Sequence, residues 1–222
     1  MKHAALCQRI AYRFNQPQLL QRALTHRSYS AAHNERLEFL GDSLLNCTVA
    51  KYLYDTYPDI PEGDLSRLRS NLVNQQTLAN LAQQLHLGEH MLMGGGEIKS
   101  GGSARPSILA DALEALFGAV WLDADFAAAQ KVVLGLYVPY LGGIDLRTLG
   151  KDPKTLLQEY LQGKKLSIPK YEVVAIKDEA HAQTFVVSCT IAKLNLVTQG
   201  EGGSRRLAEQ TAAAAAYQQL NP

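Results

Sequence analysis

Two acidic pairs stand on segments that are otherwise apolar. In Asn34-Glu35-Arg36-Leu37-Glu38-Phe39-Leu40-Gly41-Asp42-Ser43, Glu38 and Asp42 are four residues apart. In Ile108-Leu109-Ala110-Asp111-Ala112-Leu113-Glu114-Ala115, Asp111 and Glu114 are three apart. On a helix, either spacing puts both side chains on one face. Leu37, Leu40, Leu44 and Leu45 surround the first pair, and the second holds the only polar side chains between Ile108 and Trp121. An unpaired carboxylate in apolar surroundings is costly, so such groups are neutralised by a base or by a cation. Oxygen-only ligands suit Mg²⁺, with Mn²⁺ as a substitute, and do not suit zinc. An acid-rich cation site that keeps water is what phosphodiester hydrolysis uses. From spacing alone, pairing with Arg36, Arg67 and Arg69 accounts for the acids equally well, and for Glu35 pairing is the better account. His26 and His33 lie close by in sequence, but lone histidines are more often satisfied by hydrogen bonds than by metal.

The elements that must position these acids read as helices. Pro17 to Leu24 opens with a first-turn proline, and a long amphipathic stretch runs from about Glu35 to Tyr54, ended by Pro58 and Pro61. Glu62-Gly63-Asp64 starts a helix through about Leu72, and Thr77 to Leu85 carries helical spacing. Glycines flank Met93 to Ser103 and predict a flexible segment. Pro106 leads into an apolar helix from Ile108 to about Leu122, and another covers Phe126 to about Leu136. Nothing here alternates with period two for long, so the first part is expected to be all-α.

Gly142 to Gly150 reads as a linker, and after it the pattern changes. Asp152-Pro153 is a cap and first-turn pair for a helix to Leu161. Tyr171 to Ile176, Phe185 to Ile191 and Leu194 to Thr198 are β-branched or alternating and predict three strands. Gly202-Gly203-Ser204 precedes an alanine-rich helix from Arg205 to Leu220. The order α-β-β-β-α describes a small α+β domain with helices on one face of an antiparallel sheet.

Composition limits the function classes. Among 222 residues, 46% are hydrophobic, enough for a sizeable core. No apolar run approaches the roughly 20 residues of a membrane span. Met1 to Phe14 has no apolar stretch or small-residue cleavage site, so no signal peptide is expected. Cys7, Cys47 and Cys189 are scattered, without metal-ligand spacing, and the cytoplasm is the expected compartment. Net charge is only +1. From Lys151 onward there are nine Lys and Arg against seven Asp and Glu, and before it thirteen against fourteen, so neither part is strongly basic. A polyanion would have to be bound by a few well-placed cations.

Glu35-Arg36-Leu37-Glu38-Phe39-Leu40-Gly41-Asp42-Ser43 resembles the nine-residue signature of the ribonuclease III family. Ile108 to Ala115 resembles that family's second acidic motif, and Leu24-Thr25-His26-Arg27-Ser28-Tyr29 its N-terminal motif. The C-terminal unit is similar to a double-stranded-RNA-binding domain. The resemblance runs from about residue 6 to residue 220. It implies an all-α catalytic domain at 1–146, a linker at 147–151 and an α+β RNA-binding domain at 152–222. It also implies catalytic Asp42 and Glu114, Mg²⁺ held by Glu38, Asp111 and Glu114, and Glu62 as an auxiliary acid near the cleavage valley. A homodimer formed through the catalytic domain would cut both strands of duplex RNA. The ends would be 5′-phosphate and 3′-hydroxyl with short 3′ overhangs, and the substrates rRNA precursors, some tRNA operons and some messages. A silent relative that only binds RNA would lack at least one acid, and all four are present. A di-iron helical protein would need Glu-x-x-His pairs, which are absent.

A duplex-RNA reader spans two minor grooves and the phosphates between them. Gln158 and Glu159 on the first helix of the C-terminal domain, and His181 in the turn between its first two strands, are the expected groove contacts. Arg205 and Arg206, at the start of the last helix, are the expected phosphate contacts; cations there run against the dipole preference, which favours a phosphate role. Many such domains carry Lys-Lys-x-Ala-Lys, whereas this chain has Arg205-Arg206-Leu207-Ala208-Glu209, with an acid at the last place. Modest affinity from this domain alone and strong salt dependence are expected.

Overall fold

In a computed structural model, residues 3–143, 148, 151–179 and 182–221 are described. The chain divides into two compact units, Met1–Asp145 and Leu146–Pro222. Most of the expected linker, 147–151, lies outside the described residues, as does His181.

The first unit is helical: α1 (Ala4–Arg9), α2 (Pro17–Ala23), α3 (Glu35–Thr56), α4 (Glu62–Leu72), α5 (Gln75–Gln84), α6 (Gly95–Lys99), α7 (Pro106–Asp123) and α8 (Phe126–Leu141). Among the described residues of this unit, the only β pairing is an isolated bridge between Thr25 and Leu92. α7 is the axis. Nearly every residue from Ile108 to Val120 is buried, as expected of a helix that is apolar all round and packs against α2, α3, α5 and α8. In α3 the buried positions Leu37, Gly41, Leu44, Leu45, Thr48, Val49 and Leu53 form a stripe at helical spacing that faces α7.

At the crossing of α3 and α7 the backbones meet. A Cβ on Gly41 would lie 1.8 Å from the carbonyl oxygen of Glu114, and one on Gly118 would lie 2.2 Å from that of Leu37. Only hydrogen fits at either place. The far end of α7 is tied down by Asp123, which accepts from Tyr12 Oη at 2.7 Å, Asn15 N at 2.8 Å and Gln16 N at 2.7 Å.

Three elements of this unit differ from expectation. The glycine-flanked segment Met93 to Ser103 is not irregular: it contains α6 and a following 3-10 turn, Gly102–Ala104. An ion pair of Arg105 with Glu97 at 2.8 Å and a Ser100 Oγ bond to the Glu97 carbonyl close it locally. The helix expected to stop near Leu136 continues to Leu141 with Pro139 inside it. Proline forfeits one backbone hydrogen bond there, and burial of Tyr137 and Leu141 holds the last turn. α1 carries no periodic signal in the sequence, because six residues are too few to show one.

The second unit has α9 (Pro153–Gly163), β1 (Lys170–Glu179), β2 (Ala182–Ile191), β3 (Leu196–Gly202) and α10 (Arg205–Leu220). The strands form an antiparallel sheet in the order β1-β2-β3. Asp152 caps α9 by accepting from Lys154 N and Thr155 N, and Ser204 caps α10 by accepting from Leu207 N. Leu157 and Leu161 of α9, Cys189 and Ile191 of β2, and Ala212, Ala213 and Ala216 of α10 make the core. The alanines are what let α10 lie close on the sheet. β3 starts two residues later than expected because Ala192–Leu194 is a 3-10 turn and Asn195 takes a left-handed conformation, φ 49°.

The Gly41 contact yields a prediction. Alanine is the better helix former by up to about 1 kcal/mol, but at Gly41 its methyl must push two backbones apart. Gly41→Ala is expected to lose about 2 kcal/mol or more of stability. Denaturant unfolding measures this, and unchanged stability would show that the helices separate freely.

Candidate metal centre and nucleic-acid surface

The close crossing sets Glu38, one turn before Gly41, beside Glu114, one turn before Gly118. Carboxylate oxygens of Glu38, Asp111 and Glu114 all lie within 4.8 Å of one another, and all three residues are half-buried. Asp42 stands at the exposed rim, where Asn46 Nδ2 donates to its Oδ1 at 2.8 Å.

Burial and mutual repulsion dominate the electrostatics. Desolvation first, then the charges of Asp42, Asp111 and Glu38, push Glu114 from its ordinary value near 4.5 up to about 8. Glu38 is raised by burial and then by Asp111, Glu35 and Asp42. Asp111 is raised by burial, against the lowering influence of His26 and Arg27. Among the described residues, none of the four acids has a basic side chain within ion-pair distance. The arginines near them in sequence do not serve: Arg67 pairs with Asp64 at 2.6 Å, and Glu35 is met by Arg27 at 3.4 Å. Three converging carboxylates with surplus charge and no base fit a hard divalent cation.

Other residues frame this cluster. The segment bearing His26 is pinned by His26 N to Leu92 O at 2.9 Å, Leu92 N to Leu24 O at 2.8 Å and Gly94 N to Ser28 Oγ at 3.0 Å. His26 Nδ1 is itself within 2.8 Å of Ser28 Oγ, and His33 lies 3.8 Å from Glu35, so neither histidine joins the cluster. Arg27 and the fully buried Tyr137 are the neighbours that sequence reasoning missed. Tyr137 Oη has no hydrogen-bond partner, and burial followed by the Glu114 charge drives its pKa upward. No local spacing pointed to either. Glu62 is not brought to the cluster. It accepts from Ser66 Oγ at 2.7 Å and lines a separate groove of about 500 Å³ between α3 and α4, with Cys47, Lys51, Tyr54 and Arg69.

In the second unit Gln158, Glu159, Arg205 and Arg206 are all exposed. Glu159 accepts from Lys151 Nζ at 2.6 Å through one carboxylate oxygen, Oε2. Arg205 Nε donates to Glu209 at 3.0 Å. Cys7, Cys47 and Cys189 are free thiols, and no helix of the described residues is long and apolar enough to cross a membrane.

Comparison with known proteins agrees in both halves. Residues 16–141 match the family model described as Ribonuclease-III-like, and residues 153–220 match the double-stranded RNA binding motif. The chain is 59% identical over 221 residues to ribonuclease 3 of Ralstonia nicotianae, covering 100% of this chain and 86% of that one. It is 61% identical over 209 residues to ribonuclease 3 of Ralstonia pickettii, covering 94% and 82%. Among solved structures, the nuclease domain of ribonuclease III from Campylobacter jejuni superposes with a TM-score of 0.62 at 44% identity, covering 65% of this chain and 100% of that one. A second structure of that domain, reported for flexibility in the region involved in its dimer formation, gives a TM-score of 0.59 at 45% identity, covering 60% and 94%.

The raised Glu114 fixes a pH dependence. A carboxyl whose folded pKa exceeds its unfolded value favours the fold at low pH, and that contribution is lost as pH rises through about 8. A cation must displace this proton. Mg²⁺ binding near pH 7 is therefore expected to release protons, with affinity rising until about pH 8. In EDTA, Glu114→Gln is expected to gain melting temperature over wild type as pH climbs from about 4.5 to about 8. Calorimetry of Mg²⁺ binding in buffers of different ionisation enthalpy reads the proton count. Identical heats in all buffers would mean that Glu114 is already ionised.

Proposed function

This chain belongs to the ribonuclease III family, and from that premise we propose that it is a metal-dependent endonuclease that hydrolyses double-stranded RNA as a homodimer. The observation that carries the reading is the meeting of the Glu38, Asp111 and Glu114 carboxylates with no base among them. The nuclease domain spans about 1–146 and the RNA-binding domain 152–222, joined by 147–151.

Glu38, Asp111 and Glu114 hold Mg²⁺, for which Mn²⁺ can substitute, because an all-oxygen set of this charge suits hard cations. When bound, the cation supplies Lewis-acid charge to phosphodiester hydrolysis. Asp42 and Glu114 are the catalytic pair. Asp42 is exposed at the rim and steadied by Asn46, so it can accept a proton from the attacking water while remaining in contact with solvent. Glu114 is half-buried behind it among the converging oxygens of Glu38 and Asp111, so with the cation in place it would act as a carboxylate that holds the metal. Glu62 is an auxiliary acid. The products carry 5′-phosphate and 3′-hydroxyl ends with short 3′ overhangs. The substrates are ribosomal RNA precursors and some transfer and messenger RNAs, in the cytoplasm.

RNA binding uses Gln158 and Glu159 on α9, Arg205 and Arg206 at the start of α10, and His181. Dimerisation is supported by Phe39, which lies beside Glu38 on α3 with 77% of its surface exposed. A second copy packed on this face of α3 would bury the ring.

Two outcomes follow. A labelled RNA duplex of a few tens of base pairs should be cut to short duplexes with Mg²⁺ and not with EDTA. Asp42→Asn and Glu114→Gln should each lower the rate by at least about a hundredfold while duplex binding persists. Binding without cutting by the wild type would leave an RNA-binding scaffold. Phe39→Asp should shift the protein from dimer to monomer in sedimentation, and a persistent dimer would remove the α3 face from the interface.

A further inference from the structure

The cations nearest the starts of α9 and α10 are not free. Glu209, one turn into α10, uses both carboxylate oxygens: Oε2 accepts from Lys154 Nζ at 2.6 Å and Oε1 from Arg205 Nε at 3.0 Å. Its side chain is 12% exposed, against 36% for Lys154 and 64% for Arg205. The acid thus sits beneath two cations that reach solvent. Lys154 is steadied further by the face of Tyr171, 4.5 Å from the ring centre. Lys154 first, then Arg205, keep the Glu209 carboxyl below the usual range despite its burial, so it is charged at neutral pH. Arg206, next in the chain, is exposed and has no carboxylate within ion-pair distance among the described residues.

An ammonium and a guanidinium sharing one carboxylate make the contacts they would make to one phosphate. We propose that Glu209 is an intramolecular competitor for RNA phosphate: it occupies Lys154 and Arg205 in the free protein and sets the duplex affinity of the second unit below what its cations could deliver. This rests on reading that unit as the double-stranded-RNA-binding domain, and it adds Lys154 to the phosphate-binding residues. A phosphate that takes Arg205 must displace an ion-paired carboxylate, whereas one that takes Arg206 breaks no ion pair of the described residues and competes only with its longer-range attraction to Asp152. The pairing also gives an RNA-cutting enzyme a means of letting go, since the acid recaptures both cations as the duplex leaves.

The size of the effect follows from counterion release. Each phosphate contact contributes a salt exponent of about 0.9, so one extra contact at 0.1 M salt is worth about eightfold in affinity. The test uses the intact chain in EDTA, so that duplex RNA is bound and not cut, with dissociation constants measured across a salt series. Glu209→Gln is expected to bind about eightfold more tightly at 0.1 M salt, with a salt slope steeper by about one. Most of that gain should vanish when Arg205→Ala is added. An affinity unchanged or weakened, with a melting curve like wild type, overturns the proposal and leaves Glu209 as a structural tie. If Glu209→Gln does not melt cooperatively, single changes decide. Arg205→Ala should weaken binding by no more than about twofold and Arg206→Ala by about eightfold, and a loss at Arg205 equal to or larger than that at Arg206 overturns the proposal. Absence of duplex binding by the wild type would instead overturn the RNA-binding reading itself.

Discussion

Where α3 and α7 cross, Gly41 rests on the carbonyl oxygen of Glu114, and Gly118 rests on that of Leu37. Much of the first unit can be traced to this approach. Side chains one turn before each glycine are brought nearly into register, so carboxylate oxygens of Glu38 and Glu114 lie within 4.8 Å of each other. A methyl at either glycine would widen the crossing, and the carboxylates would part together because both ride on the helices that moved. The same approach explains why α7 is apolar on every side. A helix gripped this closely by one neighbour is surrounded by others, and Asp111 and Glu114 are tolerated only because they look into the space that the crossing leaves open.

A second layer keeps α7 in place. Asp123 gathers a phenol and two backbone N–H groups from the chain ahead of α2, and burial, which alone would raise its pKa, is outweighed by those donors. The segment from Leu24 to Ser28 is laced to Leu92 and Gly94 through backbone and hydroxyl bonds. That lacing carries His26 and Arg27 toward Asp111, where their charges offset part of the burial cost. Glu114 is raised to about 8 by burial first and then by Asp42, Asp111 and Glu38, with no cation among the causes to offset them.

The sequence makes the elements legible where local spacing dictates them. The i, i+4 and i, i+3 acids on apolar helices, the Asp152-Pro153 and Ser204 caps, and the alternation from Phe185 to Ile191 each have a short-range cause. What was not legible depends on partners far along the chain. No spacing reveals that Glu35 takes Arg27 and not Arg36, that Glu97 and Arg105 close a glycine-flanked segment into a helix, or that Asp42 stays at the rim while three other acids converge. The choice between bases and a cation for those acids is open in one dimension, because nearness in sequence does not show that Arg67 turns to Asp64 or that no arginine among the described residues comes within ion-pair distance of the four acids.

The near-neutral net charge of +1 conceals two opposite treatments of charge. In the first unit, four acids are concentrated at one place without a base among the described residues, although other acids there are paired. A divalent cation there would reverse the sign of that locus, so that a centre built of carboxylates could receive a phosphodiester. In the second unit, positive charge is spread and largely answered by acids: Lys151 by Glu159, Lys177 by Glu201, and Lys154 and Arg205 by Glu209. Composition alone therefore gives no hint of a polyanionic ligand. On the reading proposed above, the negative half would attract RNA with a metal bound, and the paired cations of the positive half would reach phosphate by exchange with their acids. A strongly basic surface would hold duplexes regardless of cleavage. A surface whose cations are already partnered binds through exchange, and exchange runs equally well in the direction of release.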